Sequence, residues 1–416
     1  MKYSAINILK QGFTGNKGWR PLWRSPEPKP EYDAVIIGGG GHGLATAYYM
    51  AKNHGYRKIA VLEKGYIGGG NVGRNTTIVR ADYGQAGNSA FYSHSLKLWK
   101  GLSAALNFNV MFSPRGLLEL CHSDGQMESY NRRANTILAR GDKAEMLDRA
   151  GVKAYAPYLN FETERFPIRG GLLQRSAGTA RHDAVAWGYA RGADRLGVDI
   201  LQNCEVTGFD ILGGKVRGVH TSRGNIKAKK VAICVAGRSS QVAAMAGMRL
   251  PIESHVLQAF VSEGLKPFIN RVINFGVGHF YISQSDKGGL VFGGDLDGYN
   301  SYAQRGGLGR MEHVAEAGMS MIPALGKARM LRSWGGIMDM SMDGSPIIDR
   351  TPVEGLFFNG GWCYGGFKAI PASGSAYAQL VATGTLPSYA SAYRLNRFET
   401  GHLINEEGTG AFPGQH

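Results

Sequence analysis

The sequence predicts an α/β protein in which a Rossmann-like domain is interleaved with a second domain built on a largely antiparallel sheet. Three observations carry that prediction. A strand, glycine turn, helix and strand follow one another through residues 32–64. Strands of alternating apolar and polar character fill residues 251–298, and a late strand with a glycine cluster, residues 355–368, brings the chain back to the first domain.

The first unit reads YDAVIIGGGGHGLATAYYMAKNHGYRKIAVLEK. Its apolar run at residues 34–37 suits a buried parallel strand. Gly38, Gly40 and Gly43 then supply G-x-G-x-x-G. The first glycine makes the tight turn, the second lets the backbone approach a pyrophosphate, and the third packs helix on strand. Residues 42–54 read as a helix with Leu44, Ala47, Tyr48 and Ala51 on its buried face. The N-terminus of that helix offers unpaired N–H groups and a positive dipole end to the pyrophosphate. A second strand, residues 58–62, ends at Glu63, twenty residues beyond Gly43. That acid can accept from both ribose hydroxyls and would repel a 2′-phosphate. A lone glycine fingerprint is weak, but here every part arrives in register, so an adenine dinucleotide is expected and NADP is disfavoured.

At 416 residues the chain needs more than one core. Its formal charge of +15 is spread along the sequence, with no basic helix and no aromatic-interleaved basic strand. That distribution argues against nucleic acid and suits cofactor phosphates, a carboxylate substrate or an acidic partner. No apolar run reaches bilayer length and the N-terminus has no signal-peptide core, so a cytoplasmic protein without a membrane is expected. Cys121, Cys204, Cys234 and Cys363 are scattered without metal-ligand spacing, which supports neither a metal nor a disulfide framework.

The remaining elements follow in chain order. Residues 1–30 read as an extended arm, because Pro21, Pro26, Pro28 and Pro30 interrupt it, and Trp19 and Trp23 suit an arm lying on a protein surface. Residues 31–105 form the first part of the dinucleotide-binding domain. They include a polar loop, residues 65–84, with Gly68, Gly69, Gly70, Asn71, Arg74, Asn75, Thr76 and Thr77. Arg80 follows the apolar Ile78 and Val79, so it reads as a charge carried inward that needs an anionic partner. A helix is expected at residues 88–104 and a strand at 116–120. Residues 106–175 are the first part of the substrate domain, and 176–250 return to the dinucleotide-binding domain. In that return Asp183 is placed as the N-cap of a helix ending at Gly197, followed by strands at 198–201, 202–210, 215–221 and 230–235. Residues 251–330 complete the substrate domain, with a helix at 309–321. Residues 331–416 come back once more through a strand at 355–359, the cluster ending at Lys368, and a helix at 370–383.

Taken together, VIIGGGGHGLATAYYMAKNHG, VLEKGYIGGGNVGRNTTIVR, ARHDAVAWGYARGAD, VDILQNCEVTGFD, RSWGGIMDMSMDGSPII, GGFK and RFETGHLINE resemble the glycine and sarcosine oxidase group of FAD-dependent amine oxidoreductases. Within that group the resemblance is to the β subunits of heterotetrameric sarcosine oxidases. It implies an FAD-binding domain interleaved with a substrate domain on a mixed sheet. It also implies non-covalent FAD, with Gly41, His42, Glu63, Asn71, Thr76, Ile78, Val206, Cys363 and Gly366 at contacting positions, several of them through the backbone. Cys363 stands where the family pattern suggests glycine. A second flavin, FMN, is implied on His182 as a covalent adduct, with Lys368 its neighbour, and Arg80 matches the arginine that binds substrate carboxylate. The implied reaction is oxidative demethylation of sarcosine: hydride to FAD, electrons to FMN, then oxygen reduced to hydrogen peroxide. The methylene group would leave as formaldehyde or pass to tetrahydrofolate. Alpha, gamma and delta subunits are the implied partners, with NAD and tetrahydrofolate on alpha. Dehydrogenation of proline, dimethylglycine or glycine, with an acceptor other than oxygen, stays open.

Overall fold

The first sheet has the strand order Ile347–Arg350, Leu356–Gly360, Val231–Ile233, Ala34–Ile37, Ile59–Leu62, Asp199–Leu201. All neighbours are parallel except the antiparallel first pair. These observations come from a computed structural model that describes residues 4–17 and 22–406. Alternate residues of the parallel strands enter two different cores. Ala34, Ile36, Ile59 and Val61 face one, packed by the helices Gly41–His54, Ala86–Leu106, His182–Arg195 and Gly366–Thr383. Val35, Ile37, Ala60 and Leu62 face the other. Burial on both faces is why these strands read as unbroken apolar runs.

The second sheet has eight strands, in the order Met330–Ser341, Ile252–Gly264, Gly289–Leu296, Phe280–Gln284, Val272–Phe275, Leu117–Cys121, Gly170–Gln174, Glu145–Asp148. Its pairs are antiparallel apart from Val272–Phe275 beside Leu117–Cys121. It is therefore the mixed, largely antiparallel sheet that the sequence predicts. A third core lies against it, including Phe260, Phe275, Phe280 and residues of the helix Leu308–Met321.

Two contacts lock the sheets together beside the glycine loops. The Asn71 side chain donates to the Ile337 carbonyl and accepts the Ile337 N–H. Asp339, on the same long strand, accepts the N–H groups of Gly361 at 2.6 Å and Trp362 at 3.1 Å.

Three local expectations are corrected. Residues 1–30 are not extended throughout, because Ala5–Phe13 is a helix whose N-cap Ser4 accepts the Asn7 N–H at 3.1 Å. The prolines that argued for extension come only later. Trp19 and Pro21 lie outside the described residues, while Trp23 packs edge-on to Trp187 at 5.1 Å. The arm is fastened there by Arg24 and Lys29, which reach Asp199 at 2.8 and 2.6 Å. Asp183 is not an N-cap; Arg181 holds that position and draws the Asp183 carboxylate to its guanidinium at 2.8 Å. The last long helix begins at Gly366 rather than residue 370, which puts Lys368 in its first turn. Among the described residues no helix is long and apolar enough to cross a membrane.

Candidate active site

The glycine turn behaves as its spacing requires. Gly38 has φ +109°, and a Cβ there would meet the Cys234 carbonyl oxygen at 2.2 Å. A Cβ at Gly43 would meet the Gly38 carbonyl oxygen at 2.0 Å, so this glycine lets helix and strand touch. Around Gly40 a Cβ would meet nothing within 4 Å, and as N-cap of Gly41–His54 it brings no side-chain cap. The N–H groups of that helix end are left for a ligand. Glu63 Oε2 accepts the Gly39 N–H and Oε1 the Gly65 N–H, both at 2.8 Å.

A cavity of about 500 Å³ opens from this turn and continues to the second sheet. Its walls include Gly38, Gly40, Gly41, His42, Glu63, Asn71, Thr76, Ile78, Arg80, Val206, Cys363, Gly366 and Lys368. Gly43 is behind the wall, in the helix–strand contact. His182 is not on this cavity either. It begins the helix His182–Arg195, half-buried, with Nδ1 enclosed and lacking a hydrogen-bond partner. Burial lowers the His182 pKa, with Asp183 acting the other way, so the ring favours its neutral form.

His42 stacks on Trp362 with centroids 4.5 Å apart, and its Nδ1 meets Ser373 Oγ at 2.8 Å. Asn359 extends the network, donating to Ser373 Oγ and accepting from Trp362 Nε1. Burial holds the His42 pKa down to about 3, so this histidine stays neutral. Cys363 has φ +47°, which explains why a glycine suits its position; its buried thiol accepts the Ser341 N–H at 3.3 Å, and burial pushes its pKa up to about 12.

The far wall is charged. Arg80 donates to Asp82 at 2.7 Å and faces Glu119 at 3.4 Å, so the anionic partner its sequence context demanded is supplied by the chain. Glu119 also accepts from the Asn274 side chain at 2.7 Å. Burial works against the Asp82 charge, yet Arg80 and Arg133 outweigh it and hold the carboxyl below its ordinary value. For Glu119 burial wins and the pKa is raised. Lys368 donates through Nζ to the Tyr364 carbonyl at 2.8 Å. Burial, aided by Arg80, lowers its pKa to about 7.

Sequence reading missed Asp82, Glu119, Arg133, Asp339 and Trp362. Two had a signal: Glu119 is the lone acid in LLELC and Asp339 the lone acid in GGIMDMS. A single acid in a buried strand needs a partner. Arg133, within a polar helix, had none.

The sequence profile described as "FAD dependent oxidoreductase" matches residues 33–380. "Sarcosine oxidase subunit beta" of Rhizobium meliloti is 65% identical over 416 residues, covering all of both chains. The chain belongs to the sarcosine oxidase β-subunit family of FAD-dependent oxidoreductases. It is a flavin amine oxidoreductase. The family protein of the same name from Rhodobacter capsulatus is 50% identical, over 97% of this chain and 98% of its own. Among solved structures, L-proline dehydrogenase from P. horikoshii superposes with a TM-score of 0.84 at 27% identity, covering 91% of this chain and 100% of that one. Glycine oxidase from Geobacillus kaustophilus shares the fold, with a TM-score of 0.80 at 19% identity over 89% and 99% of the two chains.

The cavity fits the family cofactor on this structure's own terms. A side chain at Gly38 or Gly43 would destroy the turn, the uncapped helix end faces open space, and Glu63 stands at the end of the second strand.

Proposed function

We propose that this chain oxidises the small N-methyl amino acid sarcosine, as the catalytic subunit of a multi-subunit oxidase. The observation that carries the reading is that two cations, the half-buried Arg80 and the buried Lys368, wall the same cavity as the glycine turn and Glu63. A free amino acid presents a carboxylate, and a pair of cations drawn in from solvent is the chemistry that would hold one.

Gly38, Gly40 and Gly41 with the helix N-terminus would hold the pyrophosphate of FAD, and Glu63 its ribose. The backbone at Val206 would meet the adenine; Asn71, Thr76, Ile78, Cys363 and Gly366 would border the rest of the cofactor. FAD there supplies a two-electron acceptor for hydride leaving the substrate's methyl carbon. The chain's part is to bind and orient. Arg80 and Lys368 would fix the carboxylate, and Leu257, Ile337 and Met338 give the cavity apolar walls. The oxidised substrate, an imine, would hydrolyse to glycine and formaldehyde or pass its one-carbon unit to tetrahydrofolate on a partner.

His182 is proposed as the attachment point of a covalent FMN, which would pass electrons on to oxygen to give hydrogen peroxide. What supports it is the ring's neutral form and its unpartnered Nδ1, since a neutral imidazole nitrogen is the nucleophile such a bond needs. The relatives' designation as a subunit supports partners. We propose alpha, gamma and delta subunits, with NAD and tetrahydrofolate on alpha, and a cytoplasmic setting. Our reading of the site divides the chain at the boundaries set out above.

The test is co-expression with the partner subunits, denaturation, and mass mapping of tryptic peptides, followed by a sarcosine-dependent peroxide assay. FMN mass on the His182 peptide, FAD in the supernatant and peroxide formation are expected. An unmodified His182 peptide would overturn the covalent FMN. Turnover of proline but not sarcosine would favour the second reading, to which the similarity to L-proline dehydrogenase points.

A further inference from the structure

The wall formed by Arg80, Glu119, Arg133 and their neighbours holds more charge than carboxylate binding alone requires. Leu117–Cys121 is buried at every position, yet its central residue is Glu119, 2% exposed. Glu119 sits beside Asn274 in the parallel register between two strands and takes its amide hydrogen. Its other oxygen has no hydrogen-bond partner and lies 3.4 Å from Arg80. Asp82, 1% exposed, is bound directly to Arg80. Arg133 stands over the Tyr130 ring at 4.8 Å, and both line the cavity with Glu119.

We propose that Glu119 is a specificity-determining residue that sets the charge of the substrate pocket. The inference rests on the reading of this cavity as a carboxylate-binding amine oxidase site. Two guanidiniums face two carboxylates, and a bound substrate carboxylate favours the protonated form of Lys368, whose pKa burial lowers to about 7. The ammonium so formed answers one substrate carboxylate. A second carboxylate would find no further cation and would meet the buried Oε1 of Glu119, which lines the cavity. Glu119 is thus the element that rejects dianions, acting by repulsion rather than by shape. Burial works against its charge, while Arg80 and the Asn274 amide support it. Replacing it with a neutral isostere makes room for a second negative charge.

The experiment titrates the FAD-loaded, partner-bound enzyme with acetate and with malonate at pH 7, following the flavin absorbance. Wild type should bind acetate at least as tightly as malonate. Glu119→Gln should shift the ratio toward malonate by about tenfold or more, and Glu119→Asp, which keeps the charge, should retain the wild-type ratio. An unchanged ratio in Glu119→Gln, or a Gln-like ratio in Glu119→Asp, overturns the proposal. The wild-type comparison stands without any variant: a preference for malonate overturns it even if Glu119→Gln fails to hold FAD. If acetate binds and only the ratio fails, the carboxylate site survives and the role of Glu119 does not. If neither anion perturbs the flavin, both fall.

Discussion

Glu63 and Gly39 are joined across the cofactor turn, the acid's Oε2 accepting the glycine N–H at 2.8 Å. The other oxygen takes the Gly65 N–H at the same distance. The acid that the sequence assigns to a ribose thus also braces the loops on both sides of its own strand end. The two roles are compatible, because each carboxylate oxygen has a second acceptor site.

Glu63→Ala should therefore do two things at once. It leaves two backbone donors without their acceptor, a loss of about 1–3 kcal/mol, and it removes the proposed ribose partner. FAD released on gel filtration should rise at least about tenfold, with a lower melting temperature even in the FAD-free protein. Glu63→Gln keeps an acceptor and should show the smaller loss of stability. A melting temperature unchanged in Glu63→Ala would mean the brace is idle.

Arg80 is set between Asp82 and Glu119, and its removal strands both acids in the interior. Arg80→Met should cost about 3–5 kcal/mol in urea denaturation, because an uncompensated buried charge is worse than no pair at all. Arg80→Met with Asp82→Asn should recover part of that stability but none of the activity. Full recovery of both would place Arg80 outside the substrate site.

The sequence disclosed the parts of this molecule whose physics is local. Spacing located Gly38, Gly40, Gly43 and Glu63, because strand, turn and helix are consecutive in the chain. Alternation located the antiparallel strands from Ile252 onward. What stayed hidden depends on pairing between distant residues. Glu119 meets Asn274 because the parallel pair of strands sets them side by side, and Arg80 reaches it from just beyond the separate strand Ile78–Val79. Asp339 reaches the Gly361 and Trp362 N–H groups across a sheet junction. The helix Ala5–Phe13 was lost for another reason: prolines farther along coloured the reading of residues ahead of them.

Lys368 should make stability depend on pH in an unusual direction. Burial lowers its pKa from 10.5 to about 7 in the folded chain. Between those values the unfolded chain holds a proton that the folded chain has released. Its contribution to stability should therefore rise with pH from about 7 to about 10.5, with a slope approaching ~1.4 kcal/mol per pH unit. Comparing wild type with Lys368→Met by urea denaturation at several pH values isolates the effect. A difference that is flat across this window would mean that Lys368 keeps its charge in the folded state, and that the cavity holds a fixed cation there.

Cys363 offers a test of backbone rather than side chain. Its φ of +47° is a conformation that costs an L-residue about 1–2 kcal/mol. Cys363→Gly should relieve that cost while losing the thiol's contact with the Ser341 N–H and gaining chain entropy in the unfolded state. The terms oppose one another, so stability should stay within about 1 kcal/mol of wild type. Cys363→Val keeps the volume but adds a β-branch at positive φ, where such side chains are genuine outliers. It should destabilise by about 2 kcal/mol or more and loosen FAD, since Cys363 and Gly366 border the same cavity. If Val is tolerated as well as Gly, the backbone there has moved, and the glycine expected from the family pattern has no conformational basis.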